Sequence, residues 1–280
     1  MSSSMISPAQ IAHTEQSPRA TARLGGYALW QMRDYLMDRG APTVLIGALF
    51  GYMVSGPMVS VMNTRLERMS PAALARSGGY DAVRASLVTE FTSTVLVLLL
   101  GNLVFLGALF AMNGIVANDR KLGYYRFLFS KPLAPEHYYG QAFVLHWAGF
   151  LGTVTILGLL YHALVGPVLT SRLYVAVALL YLCYAGIAFA LSAAARWDWL
   201  SLVAVTVAAT YLWARFGETR TTLAGLLYLF PPIHRTGEVY TAVAKGTALP
   251  WSLLAWFAGY GAACFVIGLL VLRVRRLAIV

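Results

Sequence analysis

Charge is scarce in this sequence. Asp, Glu, Lys and Arg make up 11% of the 280 residues and hydrophobic residues 59%, whereas a soluble domain carries about 25% charged residues. So thin a polar inventory cannot clothe a water-facing surface, and most of the surface must face lipid. Acids are scarcest, 11 against 21 Lys and Arg. Cysteine is nearly absent: Cys183 and Cys264 both fall inside apolar runs, which argues against a disulfide framework and reads as small buried side chains. The first 22 residues are rich in Ser, Ala and Thr and lack the apolar core of a secretory signal; residues 1–22 are expected to be a disordered cytoplasmic tail.

What the chain does have is long apolar runs. At about 20 residues per crossing, 280 residues hold six crossings and modest loops. Residues 23–280 are therefore expected to be a single transmembrane domain, all-α. The runs are Ala41–Met62, Phe91–Ala117, Tyr138–Val165, Leu173–Ala195, Leu200–Phe216 and Trp251–Leu272. Gly56-Pro57 is expected to bend the first. Before it, Gly25–Arg39 places Leu29, Met32, Tyr35 and Leu36 near helical spacing among Arg33, Asp34, Asp38 and Arg39. That segment is too polar to span and is expected to lie as an N-terminal interfacial helix. The stretch Asn63–Ser86 is polar and interrupted at Pro71 and Gly78-Gly79, and Arg196-Trp197-Asp198-Trp199 reads as a charged interfacial turn. Leu223–His234 is apolar but too short to cross; broken at Pro231-Pro232, it is expected to form a re-entrant or interfacial hairpin.

The net charge of +10 comes from Lys and Arg in short stretches between these runs. It reads as topology and headgroup anchoring. There is no basic, aromatic-interleaved surface for nucleic acid. With the N-terminus inside, inner segments hold 12 Lys and Arg and outer segments 9, counted over all 21. Both termini are therefore expected to be cytoplasmic.

The most informative loop is Ala117–Gly140, ANDRKLGYYRFLFSKPLAPEHYYG. Asp119, Arg120 and Lys121 precede Gly123, and Pro132 and Pro135 stop any helix from running on into the third run. A short cytoplasmic helix held to the membrane by Tyr124, Tyr125, Phe127 and Phe129 fits this pattern. Asp-Arg, Gly, an aromatic-Arg-Phe-Leu run, Ser-Lys-Pro and then Tyr-Tyr-Gly resembles the cytoplasmic loop of type 2 ABC exporter permeases. In that family the loop carries a coupling helix that docks into a partner ATPase. The layout from about Gly25 onward is similar too.

The resemblance implies a role for particular positions. Asp119, Arg120, Gly123, Tyr124, Arg126, Lys131 and Pro132 would form or frame the ATPase contact. The interfacial helix would lie against the same ATPase. Tyr228, Phe230, Pro231, Pro232, His234 and Arg235 would belong to an outer re-entrant gate. No GxxxxGK[ST] loop is present. The resemblance therefore implies no catalysis in this chain, ATP and Mg on two copies of a separate ATPase subunit, a second permease chain completing a homodimer or heterodimer, and a bacterial-type plasma membrane.

Other residues admit two readings. Thr94, Asn102, Asn113, Thr206 and Thr210 could line a substrate path or bond between helices. Glu90, near Arg84, is an intramembrane acid or a helix N-terminal charge; with the broken elements it motivates the alternative of an ion-coupled secondary carrier. His146 and His162 motivate a haem-anchoring alternative. They lie about 24 Å apart on one helix, so they cannot share one metal, and no metal site is expected. His137 and His234 fall in loops without ligand spacing. Gly101, Gly107 and the small residues of the third and sixth runs point to close helix packing.

Overall fold

A computed structural model describes residues 17–97, 101–112, 115–116, 119, 123, 134–164, 166–194, 199–217, 227–228 and 230–274. Among them every element is helical and none is a strand. The elements are α1 (Ser17–Asp34), a π-helical stretch (Tyr35–Gly40), α2 (Ala41–Arg68), α3 (Pro71–Arg76), α4 (Tyr80–Val95), α5 (Gly101–Met112), α6 (Pro135–Leu164), α7 (Ser171–Ala194), α8 (Trp199–Phe216), a 3₁₀ turn (Ile233–Arg235), α9 (Thr236–Ala244) and α10 (Trp251–Val274). Among the described residues four helices are long and apolar enough to cross a membrane: the continuous rod Gly25–Arg68, α6, α7 and α10. Gly101–Met112 and Ser201–Phe216 are apolar but shorter. Residues 1–16, the 195–198 turn and the start of the Leu223–His234 patch lie outside the described residues.

One expected interruption is absent. Gly25–Arg39 does not end before the first apolar run; the backbone passes through Tyr35–Gly40 as a π-helix, with Asp34 and Ala41 both in the right-handed helical region. Pro42 follows at once, in the first turn of α2. A proline has no N–H to give, and the widened π turn absorbs the missing donor. Pro57, where the run is expected to bend, sits inside the continuous α2. The breaks expected in the polar stretch do occur. Ser70 caps α3, its Oγ accepting from the Ala73 N–H at 3.2 Å. Gly78 and Gly79 turn the chain at φ +87 and +94, where a Cβ would strain.

Side-chain contacts set the direction of each helix. Tyr27 packs on Tyr138, Tyr35 on His146, and Gly47 against Leu157. The Gly25–Arg68 rod therefore stands upright alongside α6, pointing the same way, instead of lying across the bundle. Phe143 meets Phe189, Phe150 stacks on Tyr181 at 4.2 Å, and Thr155 bonds Tyr174 at 2.9 Å; α7 thus runs opposite to α6. Phe105 meets Tyr184, and the Val116 N–H donates to Ser192 Oγ at 3.1 Å, so α5 runs with α7. Gly261 lies on Leu182 and Gly268 on Phe189, so α10 also runs with α7. Tyr27 and Leu269 both sit at the Pro135 end of α6. The beginning and the end of the helical bundle are thereby brought to one side.

Helix α7 is the shaft of the bundle. Of its most apolar 18-residue window 67% is buried, against 0% in the Gly25–Arg68 rod. It touches α10 backbone to backbone: a Cβ on Gly186 would fall 2.2 Å from the Gly261 carbonyl oxygen, and one on Gly261 2.4 Å from that of Leu182. Small residues let helices approach this closely where lipid supplies no hydrophobic drive between them.

Candidate functional site

Two polar assemblies occupy opposite halves of the bundle. At the Pro135 end, Asp119 sits just past α5. The Tyr139 hydroxyl, in the first turns of α6, donates to Asp119 Oδ2 at 2.9 Å. From the π-helical stretch, Arg39 Nη1 donates to the Ala111 carbonyl at the end of α5. Gln31 Nε2 donates to the Tyr138 carbonyl at 3.3 Å, and the Tyr35 and Thr153 hydroxyls are 3.3 Å apart. The upright rod, α5, the loop that begins at Asp119 and α6 are so tied together at this end.

Burial pushes the Asp119 carboxyl above its ordinary 3.8; the Tyr139 hydroxyl and the Arg39 guanidinium hold that rise in check, and Asp34 adds to it. Because the folded-state value lies above the unfolded one, the folded chain holds this proton more tightly. Stability from this group falls as pH rises from 3.8 through the raised value. Tyr139→Phe removes the donor, so Asp119 is expected to titrate higher still. Infrared titration of the protonated carboxyl band, with Asp119→Asn as the blank, reads the shift; an unchanged midpoint would mean that the Tyr139 bond does not govern this carboxylate.

Of the other expected coupling residues, Gly123 is described and adopts φ +73, a left-handed turn that favours glycine. Arg120, Tyr124, Arg126, Lys131 and Pro132 lie outside the described residues, as does Asn113.

In the other half, Pro231, Pro232 and Ile233 are buried while His234 and Arg235 are exposed. Trp213, near the end of α8, stacks on His234 at 4.2 Å and meets Tyr228 edge-on at 5.6 Å; Tyr228 stacks on Trp256 of α10 at 5.5 Å. Arg235 Nε and Nη2 donate to the two Glu238 oxygens at 2.6 and 2.9 Å. Both side chains are about half exposed, so the pair stabilises the fold by well under about 1 kcal/mol.

The depth of α9 follows from its neighbours. The Tyr184 hydroxyl, near the middle of α7, lies beside Thr236 at the start of α9. Arg172, in the first turn of α7, reaches the Gly246 and Thr247 carbonyls just past the end of α9, at 2.5 and 3.3 Å. Tyr184 and Arg172 are about 18 Å apart along their helix. A Cβ on Gly101 would sit 3.3 Å from the Tyr240 ring. The chain between Pro231 and Gly246 thus reaches the level of mid-α7 and climbs back along it.

Comparison with known protein families finds no family model that matches the chain, and comparison with curated proteins finds no match. The site has to be read from its own chemistry.

Three of the expected path residues bond to their own helix. Thr94, Thr206 and Thr210 donate to the Glu90, Leu202 and Thr206 carbonyls at 3.1, 2.8 and 2.8 Å. Thr94, Asn102 and Thr210 are exposed and Thr206 is half-buried; the threonines do not tie helices together. His146 is buried with Nδ1 2.6 Å from the Ala142 carbonyl, packed edge-on against Tyr35. Among the described residues no three His, Cys, Asp or Glu side chains form a metal-ligand group. Five participants were missed in the sequence: Tyr139, Arg39, Trp213, Glu238 and Trp256. Of these only Glu238 left a local signal, standing three residues after Arg235, where opposite charges meet.

Proposed function

We propose that this chain is the transmembrane permease subunit of an ATP-driven type 2 ABC exporter, in a bacterial-type plasma membrane with both ends cytoplasmic. In this reading α2, α4–α5, α6, α7, α8 and α10 are six spans, and Leu223–Arg235, continued by α9, is the outer re-entrant gate. One observation carries it: the Asp119–Gly140 loop resembles the coupling loop of such permeases, and its first acid is anchored by Tyr139 to α6. A motor moves a transmembrane path only through a stiff connection. The gate segment lies along the half of α7 remote from Asp119, between Tyr184 and Arg172, and this supports the same reading, since a coupling loop and an exit gate belong to opposite membrane faces. Hydrolysis resides on two ATPase copies bearing ATP and Mg, and a second permease chain closes the path.

Affinity purification of the tagged chain from its native membranes tests this. An ATPase is expected to co-purify, and Asp119→Ala with Arg126→Ala to reduce its recovery at least tenfold without lowering the yield of the chain. A chain that purifies alone, or Lys121 and Lys131 labelled by an impermeant amine reagent from outside the cell, sinks the proposal.

A further inference from the structure

The Arg235–Glu238 pair is out of place on a lipid-facing surface. Its side chains are 44% and 50% exposed, yet it flanks Thr236, which lies at the level of Tyr184 in mid-α7. Charges at that depth are tolerated where they face a water-filled cavity or a protein partner, not acyl chains. The exposed face continues through His234 and Gly237 to the half-buried Thr241, which bonds its own helix at the Gly237 carbonyl, 2.7 Å away. Two further polar atoms of this region, Trp213 Nε1 and the Tyr240 hydroxyl, are buried with no hydrogen-bond partner. Groups of that kind are ordinarily satisfied by water or a polar ligand.

We infer that the face of α9 bearing Arg235, Gly237, Glu238 and Thr241 lines a water-filled path at mid-membrane depth, and that Arg235 is the docking point for an anionic group on the transported molecule. Glu238 takes only the Nε–Nη2 edge of the guanidinium. The Nη1–Nη2 edge still offers a paired set of donors, the geometry that carboxylates and phosphates bind. Exposed cations stand on the neighbouring elements, Arg172 at the start of α7, Arg215 near the end of α8 and Lys245 just past α9, and the exposed acids of this region are Glu238 on α9 and Glu90 on α4. The transport role of this face rests on the exporter reading; its hydration and its sign do not.

Gly237 is the place to test it, because a Cβ there meets nothing within 4 Å. Gly237→Cys is made in the full chain with Cys264→Ser, Cys183 being fully buried. It is probed in native membranes with water-soluble anionic and cationic methanethiosulfonates, against the Gly237 chain as background. Both reagents are expected to react, the anionic one about tenfold faster, as a cationic cleft concentrates anions. Arg235→Gln is expected to abolish that preference and Glu238→Gln to enlarge it. If Gly237→Cys is inert while Lys245→Cys reacts, the face is dry and the inference fails. Equal rates for the two reagents, or a preference that survives Arg235→Gln, overturn the anion site. The labelling needs no ATPase, so a chain purified without one sinks the exporter reading and leaves the hydrated face standing.

Discussion

Gly261→Leu is expected to abolish the folded bundle: a monodisperse peak in detergent should be lost, or its unfolding temperature should fall by more than any other substitution proposed for this chain. The added side chain meets backbone, not a flexible tip. A Cβ alone at Gly261 would be 2.4 Å from the Leu182 carbonyl oxygen and 2.7 Å from the Cys183 Cα. Backbone in the middle of a helix cannot swing aside, so α7 and α10 must separate. Overpacking ordinarily costs about 1–3 kcal/mol; separating two whole helices exceeds that, because the aromatic layer of Phe143, Phe189 and Phe265 opens with them. Gly186→Ala, whose Cβ would fall 2.2 Å from the Gly261 carbonyl, is expected to lower stability in the same direction by a smaller amount. Gly259→Ala, with nothing within 4 Å, is the control and should be silent. If Gly261→Leu behaves like the control, the α7–α10 seam is not backbone-tight.

This seam explains which features of the fold could be read in the sequence. Long apolar runs report their own burial in lipid, and they placed α6, α7 and α10 to within a few residues. The turn at Gly78-Gly79 was legible because a local signal, paired glycines, produces a local effect. The π-helical junction was not. Arg33, Asp34, Asp38 and Arg39 looked like the wet face of an interfacial helix, but Arg39 spends its charge on the Ala111 carbonyl, a residue 72 positions away. A polar residue satisfied at long range carries the same letter as one facing water. The site divides in the same way. The Asp-Arg motif draws attention to Asp119, but no spacing in it announces the Tyr139 hydroxyl that bonds this carboxylate 20 residues on. The aromatic assembly of Trp213, Tyr228, His234 and Trp256 joins three separate stretches of chain, and no spacing along one helix encodes it.

The contact that binds the upright rod to the bundle yields the second large effect. Tyr35 is 4% exposed and seats its ring over Gly149, where a Cβ would fall 2.4 Å from its Cε1. Gly149→Leu is expected to expel the ring, breaking the Tyr35–Thr153 bond and the packing on His146, at about 1–3 kcal/mol. Unlike Gly261, the obstacle here is a side chain, so the lesion is repairable. Tyr35→Ala alone leaves a cavity and is also expected to destabilise, by about 3 kcal/mol. Combined with Gly149→Leu it removes the group that clashes and supplies volume from the other side, so the double variant should be more stable than the sum of the two losses allows, by about 1 kcal/mol or more. Unfolding temperatures of the four chains in one detergent measure that coupling. Strict additivity would mean that the rod does not rest on α6 through Tyr35. Under the exporter reading the rod is also part of the surface that meets the ATPase. Gly149→Leu should then reduce ATPase recovery while the α7–α10 core stays folded, and the added Tyr35→Ala should restore part of it.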